Sequence, residues 1–244
     1  MADAPDLYPG LLLDASEAGP LRWSQRVLPG PVPALSMLAV LAVSSALFYV
    51  FEGPTGPIAV LGLAVPLAAL VGLHALEVYR VHDHALVVGM QGRRMIPFVV
   101  PWETVDPELV RLHTRANFVA RRIGVNTRRN VRQPPWSRTA VSVVGLGPDY
   151  ASPRLRAAKL PLVRRQLASG QQPLMPLPLA PWYLGTRKPE PLLRALEAAL
   201  VEAGQKGAHG LADRCLAAPV RERYRTPLTE QQVYGRTVPR RLTG

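Results

Sequence analysis

An α+β membrane protein is the fold class this sequence predicts, a helical hairpin in the bilayer carrying a larger basic domain. Three observations lead there. Two apolar segments, Val32–Phe51 and Pro57–Leu76, follow one another, and between Val32 and Leu76 the only charged side chain is Glu52, in their connection. The rest of the 244-residue chain is rich in charge, with a net charge of +12. Arg supplies nearly all of that excess, since the only lysines are Lys159, Lys188 and Lys206. Beyond Tyr79, short apolar runs broken by Gly and Pro give way to an amphipathic helix.

The hairpin comes first. A spanning helix needs about 20 mostly apolar residues, because a hydrocarbon core about 30 Å thick is crossed at about 1.5 Å per residue. Both segments have that length, and neither carries the polar stripe of a soluble amphipathic helix. The linker Glu52-Gly-Pro-Thr-Gly56 suits a tight turn, so the helices are expected to lie antiparallel and touch. A cleaved signal peptide fits poorly. The first run follows a leader containing Asp3, Asp6, Asp14 and Glu17, not a short basic one.

Basic flanks set the orientation. Arg22 and Arg26 precede the hairpin, the turn has no basic residue, and Arg80, Arg93 and Arg94 follow it. Both termini are therefore expected in the cytoplasm, in a multi-pass protein of the cell membrane. Phe48, Tyr49 and Phe51 are expected at the outer interface, and Trp23 and Tyr79 at the inner one. Three polar residues lie within the spans. Ser44 and Ser45 are expected to bond back to their own helix carbonyls, or else across to the other helix. His74 is the only ionisable side chain in a span; it is expected to be interfacial rather than a proton relay. Pro66 removes a backbone donor and is expected to kink the second helix.

The domain reads as strands and then helices. Ala85–Val88, Met95–Trp102, Glu108–His113, Arg122–Val125 and Ala140–Val144 are strand candidates, and Leu177–Leu184 a proline-flanked edge strand. Ser152-Pro153 reads as an N-cap followed by proline at the first helical position. The clearest helix is Pro189–Ala203, followed by Gly204. Leu192, Leu193, Leu196, Ala199, Leu200 and Ala203 share one of its faces. Glu190, Arg194 and Glu197 share the other, at ion-pair spacing.

Several strands followed by one amphipathic helix is the order of a pleckstrin-homology-like (PH-like) barrel. Specific segments support that order. Tyr79-Arg80-Val81 leads into Ala85-Leu-Val-Val-Gly89. Ile96-Pro97 continues to Val100-Pro101-Trp102-Glu103-Thr104-Val105. Trp182-Tyr-Leu-Gly-Thr-Arg-Lys-Pro-Glu-Pro-Leu-Leu193 closes the domain. Together they resemble bacterial membrane proteins in which a transmembrane hairpin precedes a bacterial PH-like domain. The resemblance covers Val32–Ala203, and Arg128–Trp136 and Ala158–Pro181 depart from it as insertions. It implies a PH-like β-barrel or β-sandwich closed by the C-terminal helix, and it marks no active site. The expected parts are a cytoplasmic N-terminal segment (1–31), the hairpin (32–79), the PH-like domain (80–204) and a basic, disordered tail (205–244).

Catalytic and metal-binding sets are sparse. His82-Asp83-His84 reads as a solvent-facing turn, with His113 the only further ligand a metal would find. Gly145-Leu-Gly147-Pro-Asp149 lacks the third Gly and the Lys-Ser/Thr of a phosphate loop and reads as a turn. Ser137, Ser142 and Ser152 assemble into no Ser/His/Asp set. The single Cys215 excludes an intramolecular disulfide and any CxxC-type zinc site. Pro173-Leu-Met-Pro176 and Pro178-Leu-Ala-Pro181 match PxxP but read as loops flanking a strand.

What remains is arginine. Arg111, Arg115, Arg121, Arg122, Arg128, Arg129, Arg132 and Arg138 fall in one stretch. They are a contact to anionic headgroups, a phosphate-binding surface for nucleic acid, or a compositional surface; nucleic acid is the weakest of the three. The expected function is a non-enzymatic, membrane-anchored interaction or scaffolding module without cofactor or metal. Its candidate contacts to the membrane surface or to a protein partner are Arg80, Arg93, Arg94, Arg121, Arg122, Arg128, Arg129 and Arg132. Self-association stays open. The alternative is an auxiliary subunit of a membrane transporter or secretion complex that acts through the hairpin.

Overall fold

The computed structural model describes residues 15–26, 28, 31–55, 76–90, 97–116, 130–134, 136–155 and 179–221, with scattered positions elsewhere. It is α+β, with two sheets and few helices. The first helix, α1 (Pro31–Glu52), is the one described helix long and apolar enough to cross a membrane. Its stretch Ala34–Glu52 has a mean hydropathy of 2.2 and none of it is buried. A 3₁₀ turn, Gly53–Thr55, follows, and Thr55 Oγ1 donates to the Glu52 carbonyl at 2.9 Å. Most of the second apolar segment, with Pro66 and His74, lies outside the described residues. Val60, Gly62, Ala64, Val65, Ala68, Ala69 and Gly72 within it are helical.

The first sheet is an antiparallel meander of β1 (Leu21–Arg26), β2 (Glu77–His82), β3 (Ala85–Met90) and β4 (Phe98–Pro101), in that order. The second contains β5 (Arg111–Thr114), β6 (Val131–Arg132), β7 (Thr139–Leu146), β8 (Leu179–Thr186) and β9 (Val220–Arg221), ordered β6-β8-β7-β5-β9. One core lies between them. Tyr79, Val81, Leu86, Val88 and Val100 enter it from the first sheet, and Val141, Val143, Trp182 and Leu184 from the second. The period-2 spacing of these residues puts them on one face of each strand. Gly145 lets the sheets approach: a Cβ there would lie 2.5 Å from Val100 Cγ1. That close packing, rather than any phosphate, accounts for the glycine in Gly145-Leu-Gly147.

The helix α3 (Pro189–Glu202) closes the core after the short α2 (Pro148–Ala151). Leu192, Leu193, Leu196, Ala199 and Leu200 are buried as the apolar face requires, and each leucine contributes about 1.5–3 kcal/mol by leaving water. Ala203 lies just past the helix and is exposed. The polar face differs from expectation. Arg194 pairs with Asp213 at 2.6 Å, and Glu197 accepts the Gly210 and Ala212 amides at 2.7 and 2.9 Å. Their partners come from the next segment, which is itself ordered. The helix α4 (Leu211–Ala217) buries Leu211, Ala212 and Cys215, and β9 pairs parallel with β5. The expectation of a disordered tail is therefore corrected as far as Arg221; residues 222–244 lie outside the described residues.

Three further expectations change. The N-terminal segment is not separate from the domain, because β1 pairs with β2 along Trp23↔Val81, Ser24↔Arg80, Gln25↔Tyr79 and Arg26↔Val78. Trp23 and Tyr79 are consequently core residues rather than an interfacial belt: Tyr79 is fully buried and Trp23 packs against the same cluster. The β8 strand is not at an edge, since Val131 and Arg132 pair with Tyr183 and Leu184 on its other side. At Pro181, which cannot donate to a ladder, the carbonyl instead takes the Asn130 side-chain amide at 2.5 Å. Ser152 caps the end of α2, and Pro153, Arg154 and Leu155 directly after it are helical, as the Ser152-Pro153 step predicts. The strand candidate Arg122–Val125 lies outside the described residues.

Candidate functional site

The two ends of the sheets differ in chemistry. At one end, β2 turns into β3 through Asp83 and His84. Residues before β1 cover this turn: the His84 amide donates to Ala18 O at 3.0 Å, and the Asp83 amide to Pro20 O at 3.2 Å. Gly19 has φ +79°, and a Cβ there would stand 3.0 Å from His84 Cδ2, so both backbone conformation and space call for glycine. Trp102, fully buried, donates its indole N–H to His82 O at 2.9 Å.

Arg22 ties this end together. Its guanidinium bonds the carboxylates of Glu202, at the end of α3, and Asp83. Hydrogen bonding to Arg22 holds both carboxylates below their ordinary range, and those bonds raise the guanidinium further above its own. Beside this bridge is a cleft of about 480 Å³ lined by Glu17, Asp83, His84, Trp102, Glu103 and Glu202 among others. Half of its lining residues are acidic in a chain whose net charge is +12.

At the opposite end, β1 finishes at Arg26 and β2 begins at Glu77, on adjacent antiparallel strands. The whole apolar stretch is thus inserted between two neighbouring strands. Glu77 is buried and paired with Arg132 at 3.4 Å. The Arg132 guanidinium also stands 4.8 Å from the Phe98 ring centroid, a cation–π geometry, and Tyr79 Oη donates to the Arg132 carbonyl.

The expected contact residues separate accordingly. Arg132 is turned inward to Glu77 and Phe98, so its place in the set of surface contacts is corrected. Arg80 is half-buried in mid-strand, opposite Ser24 and Val87. Ser44 and Ser45 sit half-buried on α1. Arg93, Arg94, Arg121, Arg122, Arg128, Arg129 and His74 lie outside the described residues. The histidines do not converge by strand position: His82 ends β2 in the first sheet, while His113 lies in β5 of the second. His113 Nε2 is 2.8 Å from Ser142 Oγ, beside the Tyr183 ring, in a buried cross-strand contact. Among the described residues no three His, Cys, Asp or Glu side chains group to hold a metal. Burial raises the pKa of the Cys215 thiol, which disfavours the reactive thiolate.

The residues missed by sequence reasoning are exposed cations beside the insertion point: Arg26, Arg187 and Lys188. Their signal was available in the basic flanks of the apolar stretch and the Thr186-Arg187-Lys188 step before the closing helix. The chain matches no protein-family model, no curated protein and no solved structure with which it was compared, so the functional reading rests on these residues alone.

Proposed function

We propose that this chain is a non-enzymatic interaction or scaffolding module, a PH-like domain held at the cytoplasmic face of the cell membrane by a two-helix hairpin. The observation that carries the reading is the insertion of the apolar stretch between β1 and β2. Arg26 is registered against Val78, so the chain leaves and re-enters the domain at one point. A membrane-embedded segment with both ends at one point crosses an even number of times. The apolar residues are enough for two crossings at about 20 residues each.

The PH-like part is supported by topology. A four-stranded meander packs on a second sheet built around β5, β7 and β8, and α3 follows β8 directly. In this arrangement the first strand precedes the hairpin, so the domain is interrupted by its anchor rather than merely following it.

Topology mapping tests the proposal. In a Cys215→Ala background, Thr55→Cys and Arg187→Cys are labelled with a membrane-impermeant maleimide on intact cells. The cysteine at 55 is expected to react in intact cells, and the one at 187 only after permeabilisation. Labelling at 187 in intact cells, or release of the chain from membranes by alkaline carbonate, overturns the reading. The interaction role is checked by mild-detergent purification from native membranes: a stoichiometric protein partner is expected, and a chain recovered alone counts against it.

A further inference from the structure

We propose that the end of the domain at which the apolar stretch is inserted is a docking surface for anionic lipid headgroups, formed by Arg26, Arg115, Arg138, Arg187 and Lys188. The inference rests on the anchored reading above and adds the face, the residues and the ligand chemistry.

The contacts across the core show which parts of the second sheet share that end. Gln25 Nε2 donates to Thr186 Oγ1 at 2.9 Å, next to Arg26 at the end of β1. Tyr79, near the start of β2, reaches the Arg132 carbonyl. Thr186 in turn pairs with Thr139, and Thr139 with Thr114. The ends of β5 and β8 and the start of β7 therefore all lie beside the insertion point. The residues just beyond them, Arg115, Arg138, Arg187 and Lys188, are all exposed, as is Arg26. Ala116 N donates to Arg138 O at 2.8 Å, which holds two of these turns side by side. Among the described residues, the acids here are Glu77, buried against Arg132, and Glu190 in the first turn of α3.

The other end has the opposite sign. Asp83, Glu103, Asp106, Asp149 and Glu202 lie there, on turns, in short helices or at the end of α3. Of its cations, Arg22 is engaged by Asp83 and Glu202, Arg111 donates to the Glu108 and Val110 carbonyls, and Arg154 and Lys206 are exposed, so the described acids outnumber the cations. A domain charged in this way, tethered at its basic end, presents cations to the bilayer and carboxylates to the cytoplasm. The attraction of a basic surface for anionic lipid is worth about fivefold in the docked-to-free ratio per charge near the surface. The connections 91–96 and 117–129 carry further arginines in sequence, and the surface is defined without them.

The test uses the full chain in nanodiscs of phosphatidylcholine alone or doped with phosphatidylglycerol, with hydrogen exchange as readout. Peptides spanning 114–116, 137–139 and 186–188 are expected to exchange more slowly with phosphatidylglycerol, an effect lost at high salt. Peptides spanning 102–106 and 147–151 are expected to be unchanged, and they report whether a variant is still folded. The triple variant Arg115→Gln, Arg138→Gln, Arg187→Gln should lower the docked-to-free ratio by roughly a hundredfold. Incorporation into nanodiscs without any phosphatidylglycerol effect overturns the docking surface while leaving the anchor intact. Protection by added RNA but not by phosphatidylglycerol also overturns it. Failure to enter nanodiscs at all overturns the anchored reading instead.

Discussion

Arg132→Ala separates a structural arginine from a membrane-contacting one, and the structure sets the size of the effect. The Arg132 side chain is 18% exposed and its partner Glu77 7%, with 3.4 Å between them. Removing one member of a buried ion pair costs about 3–5 kcal/mol, because the other charge stays desolvated. Arg132 keeps some contact with water, which places its loss near the lower figure. The lost packing over the Phe98 ring adds about 0.5–1 kcal/mol. The expected destabilisation is therefore about 3–4 kcal/mol, a shift of more than a hundredfold in the unfolding equilibrium. Backbone pairing of Val131 and Arg132 with β8 survives the substitution, so the loss reports the side chain. The assay is urea unfolding in detergent micelles, followed by the fluorescence of buried Trp102 and Trp182. Replacing both charges, Glu77→Gln with Arg132→Met, should recover most of the loss, since no uncompensated charge is left. An Arg132→Ala protein within about 0.5 kcal/mol of its parent would refute the reasoning and return Arg132 to the surface set.

Three other outcomes are expected. Gly145→Val should cost about 1–3 kcal/mol by overpacking, with partial recovery on adding Val100→Ala, measured by the same unfolding assay. Glu197→Ala removes the acceptor for the Gly210 and Ala212 amides, so limited trypsin digestion within 205–221 should accelerate about tenfold while α3 stays protected. The Asp83 and Glu202 carboxylates are depressed by Arg22, so their contribution is complete above the ordinary carboxylate range and is lost as pH falls through the depressed values. The urea midpoint should fall along that acid limb in the parent and fall less in Asp83→Asn with Glu202→Gln.

Features with strong local periodicity were legible in the sequence. The apolar length of α1, the apolar run Ala85–Val88 in β3, and the leucine face of α3 between Pro189 and Gly204 are encoded within each segment. Features that depend on distant partners were not. The β1 strand, Leu-Arg-Trp-Ser-Gln-Arg, alternates only over Leu21–Ser24, too briefly to stand out, and its partner lies beyond the entire apolar stretch. Trp23 and Tyr79 look interfacial because both flank that stretch, yet their pairing in adjacent strands draws them into the core. Ion-pair spacing along α3 was real, but Arg194 and Glu197 found better partners in α4 and its N-terminal turn. The candidate site suffered most, because an arginine's direction is not a property of its position in the chain. Arg132 and Arg138 belong to one basic run, and folding sends the first inward to Glu77 and leaves the second exposed.

The insertion between β1 and β2 also sets an order of events during synthesis. The first strand is made before the apolar stretch, and its neighbour only after it. In an unanchored chain, closing a loop of about 50 residues costs about 3.5 kcal/mol of entropy before Arg26 can meet Val78. Under the proposed anchoring, a hairpin already seated in the bilayer would bring its own ends together and remove most of that cost. On that proposal, completion of the first sheet would report that membrane insertion has succeeded. A chain that failed to insert in this way would keep β2 without its neighbour, an open edge of the kind that invites pairing with other chains.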